Sequence, residues 1–189
     1  LVPVCGRPFI AWQIEGLQRQ GITRIHLAAG YRGDALADWV RAQPAGELQL
    51  TVSVEPAPLG TGGGLRYAAD HLTGERLLVL NGDSLAPGGR VQRLEEALAA
   101  DANAWMSLAV APIEDAGRYG SVDFEADGRV TAFREKAERS QGWINAGVYL
   151  LQRRVLGLIP ADRPSSLETE VFPALAAAGR LRAVTIAPP

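Results

Sequence analysis

Apolar residues in this chain fall into short runs whose spacing switches between a helical and an extended period. Ile10, Ile14 and Leu17 share one helical face, opened by Pro8 in a first turn and closed by Gly21. Arg24–Ala29 then reads as a strand, Gly30-Tyr31-Arg32-Gly33 as a turn, and Leu36, Trp39 and Val40 as the inner face of a second helix. Residues 48–54 alternate as a strand, and a third helix runs from about Leu65 to His71. Residues 77–80 form an apolar run with no polar alternation, which predicts a strand buried on both faces. Val91, Leu94 and Leu98 make one more helical stripe, and residues 105–111 another buried strand, with Trp105 and Met106 read as core. Helices alternating with strands across short connections predict crossover units and a mostly parallel sheet.

The second half changes character. Residues 119–124 and 129–136 are short strands joined by Glu125-Ala126-Asp127-Gly128, whose Asp-Gly signals a hairpin. Residues 144–151 add a further strand, so antiparallel pieces join the parallel ones. A last helix opens at Ser165 or Ser166, with Glu168 or Glu170 in capping-box register. Its inner face is Leu167, Val171, Phe172 and Leu175; Pro173 shortens or kinks it, Gly179 ends it, and residues 181–186 close as a strand. At 189 residues without a repeat or linker, one domain is the expectation.

Composition narrows the function classes. The net charge of −2 gives no basic footprint for nucleic acid and no polybasic membrane patch. Cys5 stands alone, and His26 and His71 are the only histidines, which argues against disulfide frameworks and zinc clusters. No apolar run approaches the ~20 residues that span a bilayer, and the expectation is a cytoplasmic protein. Oligomeric state is not legible. Of nineteen basic residues eighteen are arginine; Lys136 is the single lysine, either a surface residue or a place where a compact ammonium is needed instead of a planar fork.

Three stretches carry candidate chemistry. The strand 77–80 ends in Asn81-Gly82-Asp83-Ser84, and ligands of open α/β sheets sit beyond the carboxyl ends of strands. Asp83 is there either as a turn residue or as a carboxylate that holds Mg²⁺ with phosphates. The stretch Glu55-Pro56-Ala57-Pro58-Leu59-Gly60-Thr61-Gly62-Gly63-Gly64 follows a strand and opens a helix, whose first N–H groups face anions or carbonyls. It is neither a P-loop nor a dinucleotide fingerprint. Glu135-Lys136 at a strand end is either a surface ion pair or a hydroxyl and phosphate contact. Tyr31 and Asn81 read equally as turn residues and as site residues.

In order, these stretches resemble the sugar-phosphate nucleotidyltransferase family. The matching pieces are Leu1-Val2-Pro3-Val4 with Gly6-Arg7-Pro8, Glu55 through Gly63, Leu80-Asn81-Gly82-Asp83, Arg118-Tyr119-Gly120, Phe133-Arg134-Glu135-Lys136 and Ile144-Asn145-Ala146-Gly147-Val148-Tyr149. Each is weak alone, and the ordered set covers nearly the whole chain. It is most similar to the heptose 1-phosphate guanylyltransferase branch. The resemblance implies a Rossmann-like three-layer αβα sandwich with a mixed, mostly parallel sheet, the nucleotide-diphospho-sugar transferase fold. It implies nucleoside triphosphate and sugar 1-phosphate as partners and Mg²⁺ as cofactor. Asp83 would bind the metal and Lys136 would neutralise the sugar phosphate. Glu55, Pro58, Gly60, Thr61, Asn81 and Gly82 would frame the nucleotide, and Tyr119, Gly120, Glu135, Asn145 and Gly147 the sugar. The family also carries a Gly-rich phosphate loop on a first strand before the Leu-Val-Pro-Val stretch and an Asp-x-Gly segment after the last strand. Neither is in this sequence, so the expectation is a fragment cut at both ends, with the first strand missing and catalysis lost in the segment itself. Other sugar 1-phosphate specificities, or a non-catalytic sugar-nucleotide-binding module, are the alternatives.

Overall fold

The computed structural model describes residues 1–44, 46–84, 91–113, 121–134 and 142–186. Two compact units emerge: Leu1–Thr73 with Pro160–Ser165, and Gly74–Ile159 with Ser166–Pro189. Among the described residues no helix is long and apolar enough to cross a membrane.

The first unit begins with a hairpin that the apolar pattern does not announce. Strands β1 (Pro3–Val4) and β2 (Arg7–Pro8) pair antiparallel across Cys5 and Gly6, which both take positive φ, the backbone of a tight hairpin turn. Helix α1 (Phe9–Gln18) follows directly on Pro8, with Ile14 buried. Strand β3 (Arg24–Ala29), helix α2 (Gly33–Arg41) and strand β4 (Gln49–Val54) form the expected crossover, with β3 and β4 parallel from Arg24↔Gln49 to Ala29↔Val54. Helix α3 (Gly60–Tyr67) starts five residues before the expected Leu65 and so takes in all of Gly60 through Gly64; a 3₁₀ turn, Ala68–His71, continues it. Glycine propensity opposes this, and a tertiary contact described below overrides it.

His26, on β3, sets a pH dependence for this unit. Its Nδ1 lies 2.8 Å from Thr51 Oγ1 and its Nε2 2.9 Å from Ser53 Oγ, both on β4, and its ring stacks on His71 at 4.6 Å. Burial, and then the charge of His71, hold His26 below the ordinary imidazole value of 6.5. Below that value the unfolded chain takes up a proton that the folded chain refuses, so this contribution to stability is present above pH 6.5 and is lost as pH falls beneath it. Urea unfolding between pH 7.5 and 5 is expected to show a falling midpoint that flattens in His26→Asn. An unchanged slope in that variant would count against the assignment. Glu15, held low chiefly by its hydrogen bond from Arg7, loses its contribution only below its own ordinary 4.5, a separate window.

The second unit is built on one long strand. Strands β5 (Arg76–Leu80), β6 (Met106–Ile113), β7 (Ser121–Phe124), β8 (Val130–Arg134), β9 (Gly142–Gln152) and β10 (Leu181–Thr185) make a six-stranded sheet in the order β10-β6-β9-β7-β8, with β5 also on β9. β10 runs parallel to β6. β9 runs against β5, β6 and β7, and β7 against β8. The sheet is therefore mixed, as expected, but its parallel share is smaller than the helix–strand rhythm predicts. The eleven-residue β9 is antiparallel to every neighbour it has.

Helix α4 (Val91–Ala99) covers one face of this sheet through Leu94 and Leu98, which cluster with Ala109, Ala111, Val148, Leu150, Val184 and Ile186. The alternate residues of β9 point the other way. There Tyr149 packs on Phe172 at 4.9 Å, and Phe172 meets Phe133 at 5.2 Å. Phe172 opens α5 (Phe172–Ala177), so this unit has helix, sheet and helix in three layers. Before α5, residues Leu167–Val171 form a wider π turn capped by Ser166, whose Oγ accepts the Thr169 N–H while Glu170 returns to the Ser166 N–H. That is a capping-box exchange. Pro173 falls in the first turn of α5, so the helical run opened at Ser166 is divided there into a π turn and a short α-helix, in line with a proline that shortens or kinks it.

Two core expectations change. Only Leu77 of β5 is buried; Leu78 and Leu80 lie half-covered beside the α4 cluster. Met106 is fully buried, whereas Trp105 is half-buried with the Arg154 and Arg180 guanidinium groups 4.8 and 3.8 Å from its ring. Its environment is a cation–π stack, not the core.

Candidate functional site

In the second unit the tip of β5 meets an irregularity in β9. β5 pairs β9 as far as Leu80↔Val148, and β7 meets β9 at Ser121↔Ile144. Between those pairings lie Asn145, Ala146 and Gly147. On the β6 side the register jumps from Leu108↔Tyr149 to Val110↔Asn145, so β9 carries two more residues than β6 across that step. This is a bulge, a device that re-aims side chains and occurs often beside active sites. Gly147 provides it with φ +73°, and a Cβ there would lie 3.0–3.1 Å from the Asn81 side chain.

The bulge is pinned by its own polar groups. Asn145 Oδ1 accepts the Gly147 N–H at 2.9 Å, Asn145 Nδ2 donates to the Tyr149 hydroxyl at 2.7 Å, and the Asn81 N–H donates to the Gly147 carbonyl at 2.8 Å. The Asn81 side chain is hydrogen-bonded to the same phenol. Asn81, Asn145 and Gly147, expected from sequence, are thus brought together. Gly82 and Asp83 follow Asn81 at the exposed end, where Ser84 Oγ donates to Asp83 Oδ1 at 3.1 Å. Burial pushes the Tyr149 phenol above its usual range, with the Glu168 and Asp83 carboxylates adding to the shift and the hydrogen bonds from Asn145 and Asn81 opposing it. Sequence placed Glu168 in a helix cap and Tyr149 in the family stretch at the end of residues 144–149, but assigned neither to the site. The signal available was the i, i+4 spacing of Asn145 and Tyr149, which shares a strand face but spans about 13 Å in a regular strand until the bulge closes the gap.

In the first unit Glu55 lies at the end of β4, with Oε2 accepting the Leu59 N–H at 3.0 Å. Pro58, Gly60 and Thr61 are exposed on the loop and the first turn of α3. The glycines have a structural partner. The Ser165 carbonyl accepts the Gly62 and Gly63 N–H groups at 3.0 and 3.2 Å, and the Ser165 N–H donates to the Leu59 carbonyl at 2.9 Å. Of the two partners that sequence left open for these N–H groups, a carbonyl takes this pair. Tyr31 stands 96% exposed in the turn before α2, beside Arg32 at φ 55°.

Tyr119, Gly120, Glu135 and Lys136 lie outside the described residues. The strand ends that lead to them are described: Ser121 pairs both Arg134 and Ile144, so β7, β8 and β9 come together next to Asn145.

Among the described residues no group of three or more His, Cys, Asp or Glu converges on a metal position. A single exposed carboxylate fits a hard cation that takes its other oxygens from water and phosphate, the manner in which Mg²⁺ is held at phosphate-transfer sites.

A mixed α/β unit with a bulged strand beside a carboxylate-bearing tip defines a class, and comparison with known proteins gives it a name. Residues 1–187 match the nucleotidyl transferase family, and the chain belongs to that family, with its Rossmann-like fold. It is 36% identical to mannose-1-phosphate guanylyltransferase 1 of Arabidopsis thaliana over 98% of this chain and 52% of that protein. It is 32% identical to D-glycero-alpha-D-manno-heptose 1-phosphate guanylyltransferase of Aneurinibacillus thermoaerophilus, over 82% of this chain and 66% of that protein. Among solved structures, HddC from Yersinia pseudotuberculosis complexed with GMP-PN aligns with a TM-score of 0.77 at 27% identity, over 97% of this chain and 79% of that one. The chain spans about half the length of the first curated relatives it matches.

Proposed function

We propose that the full-length protein transfers a nucleotidyl group from GTP to a sugar 1-phosphate, giving a nucleoside-diphospho-sugar and pyrophosphate. The observation that carries the reading is the Asp83 tip set beside the Asn145–Gly147 bulge in a chain of this family. An oxygen of the sugar phosphate attacks the α-phosphorus; the new P–O bond forms as the bond to the β-phosphate bridge breaks, and pyrophosphate leaves with that electron pair. No protein nucleophile is needed, so the work is positioning and charge neutralisation. Asp83 would hold Mg²⁺, which when bound neutralises phosphate charge. Asn145 keeps one Nδ2 hydrogen beyond its bond to Tyr149, a donor suited to a sugar hydroxyl. The family resemblance assigns Lys136 to the sugar phosphate, Glu135 to a hydroxyl, and Tyr119, Gly120 and Gly147 to the sugar. The same resemblance assigns Glu55, Pro58, Gly60 and Thr61 of the first unit, and Asn81 and Gly82 of the second, to nucleotide recognition.

D-glycero-D-manno-heptose 1-phosphate is the favoured acceptor, supported by the wording of Pro58 through Gly63 and of Ser166-Leu167-Glu168. Mannose 1-phosphate is the second reading, supported by relatives of that name at 36% and 33% identity. Pyrophosphate release by the full-length protein from GTP with each acceptor, and with glucose 1-phosphate plus dTTP or UTP, tests both. Heptose 1-phosphate with GTP is expected to give the highest kcat/KM. Faster turnover of mannose 1-phosphate would transfer the assignment to it, and no pyrophosphate with any pair would leave a binding module.

A further inference from the structure

Tyr149 is the largest fully buried side chain in the described chain, yet it carries a polar group that ends among site residues. Its ring is fixed by Phe172 on the covered face of the sheet, and its hydroxyl is met by the side chains of Asn145 and Asn81. Asn145 lies on β9 and Asn81 just past the end of β5, where the ladder stops at Leu80↔Val148 and one further backbone bond joins Asn81 to Gly147. That backbone bond sets the main chains, and one buried phenol meets both side-chain amides. An amide that donates to a fixed hydroxyl has its flip decided. For Asn145 the decision is doubled, because Oδ1 is already committed to the Gly147 N–H.

We propose that Tyr149 is a positioning residue: its hydroxyl fixes the Asn81 and Asn145 amides, and through Asn81 the carboxylate two residues on, without touching substrate. The inference rests on the activity proposed above. With no solvent exposure the phenol has no surface to offer a ligand. Its environment keeps it protonated through the working pH range, so it acts as a strut and not as an acid or base. Loss of the hydroxyl frees two amides at once. Misplacement of reacting groups by an ångström costs up to about a hundredfold in rate.

The test is Tyr149→Phe in the full-length protein, which keeps the ring on Phe172 and removes only the hydroxyl. The expected result is a kcat lower by about ten- to a hundredfold, with a smaller rise in KM for GTP through Asn81 and a thermal midpoint lowered by no more than a few degrees. Asn145→Ala combined with Tyr149→Phe should cost no more than the worse single change, because both remove the same arrangement. Wild-type turnover in Tyr149→Phe overturns the proposal, and so does a loss that multiplies with that of Asn145→Ala. A second readout does not depend on activity. Side-chain amide NMR signals of Asn81 and Asn145 should shift and lose exchange protection in Tyr149→Phe. Unmoved signals overturn the proposal. If the wild-type protein releases no pyrophosphate, the functional reading fails, and the amide signals alone decide whether Tyr149 sets these groups.

Discussion

Asp83→Asn in the full-length protein is expected to lower Mg²⁺-dependent pyrophosphate release by about a hundred- to a thousandfold, with no change in unfolding midpoint. The first half follows from what one carboxylate does at a phosphate-transfer centre. Removing a group aimed at transition-state charge costs on the order of 10²–10³ in turnover. Asparagine keeps the size and removes the charge, so the apparent Mg²⁺ requirement should rise in step. The second half follows from the surroundings of Asp83. The side chain is exposed, and the hydrogen bond described for it comes from Ser84, its neighbour in sequence. A substitution of that kind changes stability by no more than about 0.5 kcal/mol. Turnover and stability should therefore separate cleanly. A variant that keeps turnover within about threefold of wild type would remove Asp83 from the metal site.

What sequence made legible here depended on the range of the interaction involved. β3, β4, α4 and β10 are set by local periodicity, and their spans agree with the apolar pattern to within a residue or so. The carboxylate tip at Asp83 was legible for the same reason, because an apolar run that stops at Asn-Gly-Asp marks a strand end locally. The bulge was not. Residues 144–151 read as one regular strand, and although the resemblance named Gly147, its part in the bulge shows only when β5, β6 and β9 are aligned and Leu108 and Val110 face residues four apart. Tyr149 stayed hidden with it, since its role depends on a side chain from another strand. Met106 was read correctly as core and Trp105 was not, because the arginines that stack on Trp105 come from residues about fifty and seventy-five positions away. The start of α3 failed in the same way: five residues in a Gly-rich run look like loop until the Ser165 carbonyl is in place to receive the Gly62 and Gly63 N–H groups.

That last contact leads to the largest expected loss of stability. Gly60→Ala should destabilise the protein by on the order of 4 kcal/mol, read from urea unfolding, whereas Gly64→Ala in the same helix should be neutral or slightly stabilising. Gly60 holds φ +75°, and an alanine Cβ there would sit 2.5 Å from the Ser165 carbonyl oxygen and 3.2 Å from its carbon. Left-handed backbone costs an alanine roughly 1–2 kcal/mol before any clash. The clash cannot be relieved by rotating a side chain, because the obstacle is main chain. Moving Ser165 away breaks its carbonyl bonds to Gly62 and Gly63 and its N–H bond to Leu59, each worth about 1 kcal/mol. At Gly64 the nearest atom to an added Cβ is Glu55 Oε2 at 3.7 Å, an ordinary contact, and no positive φ is required. Alanine there gains helix propensity of about 0.5–1 kcal/mol. Because Glu55, Pro58, Gly60 and Thr61 ride on this junction, nucleotide affinity should fall with Gly60→Ala even where the chain remains folded. Equal stabilities for the two variants would show that the Ser165 contact does not hold the start of α3.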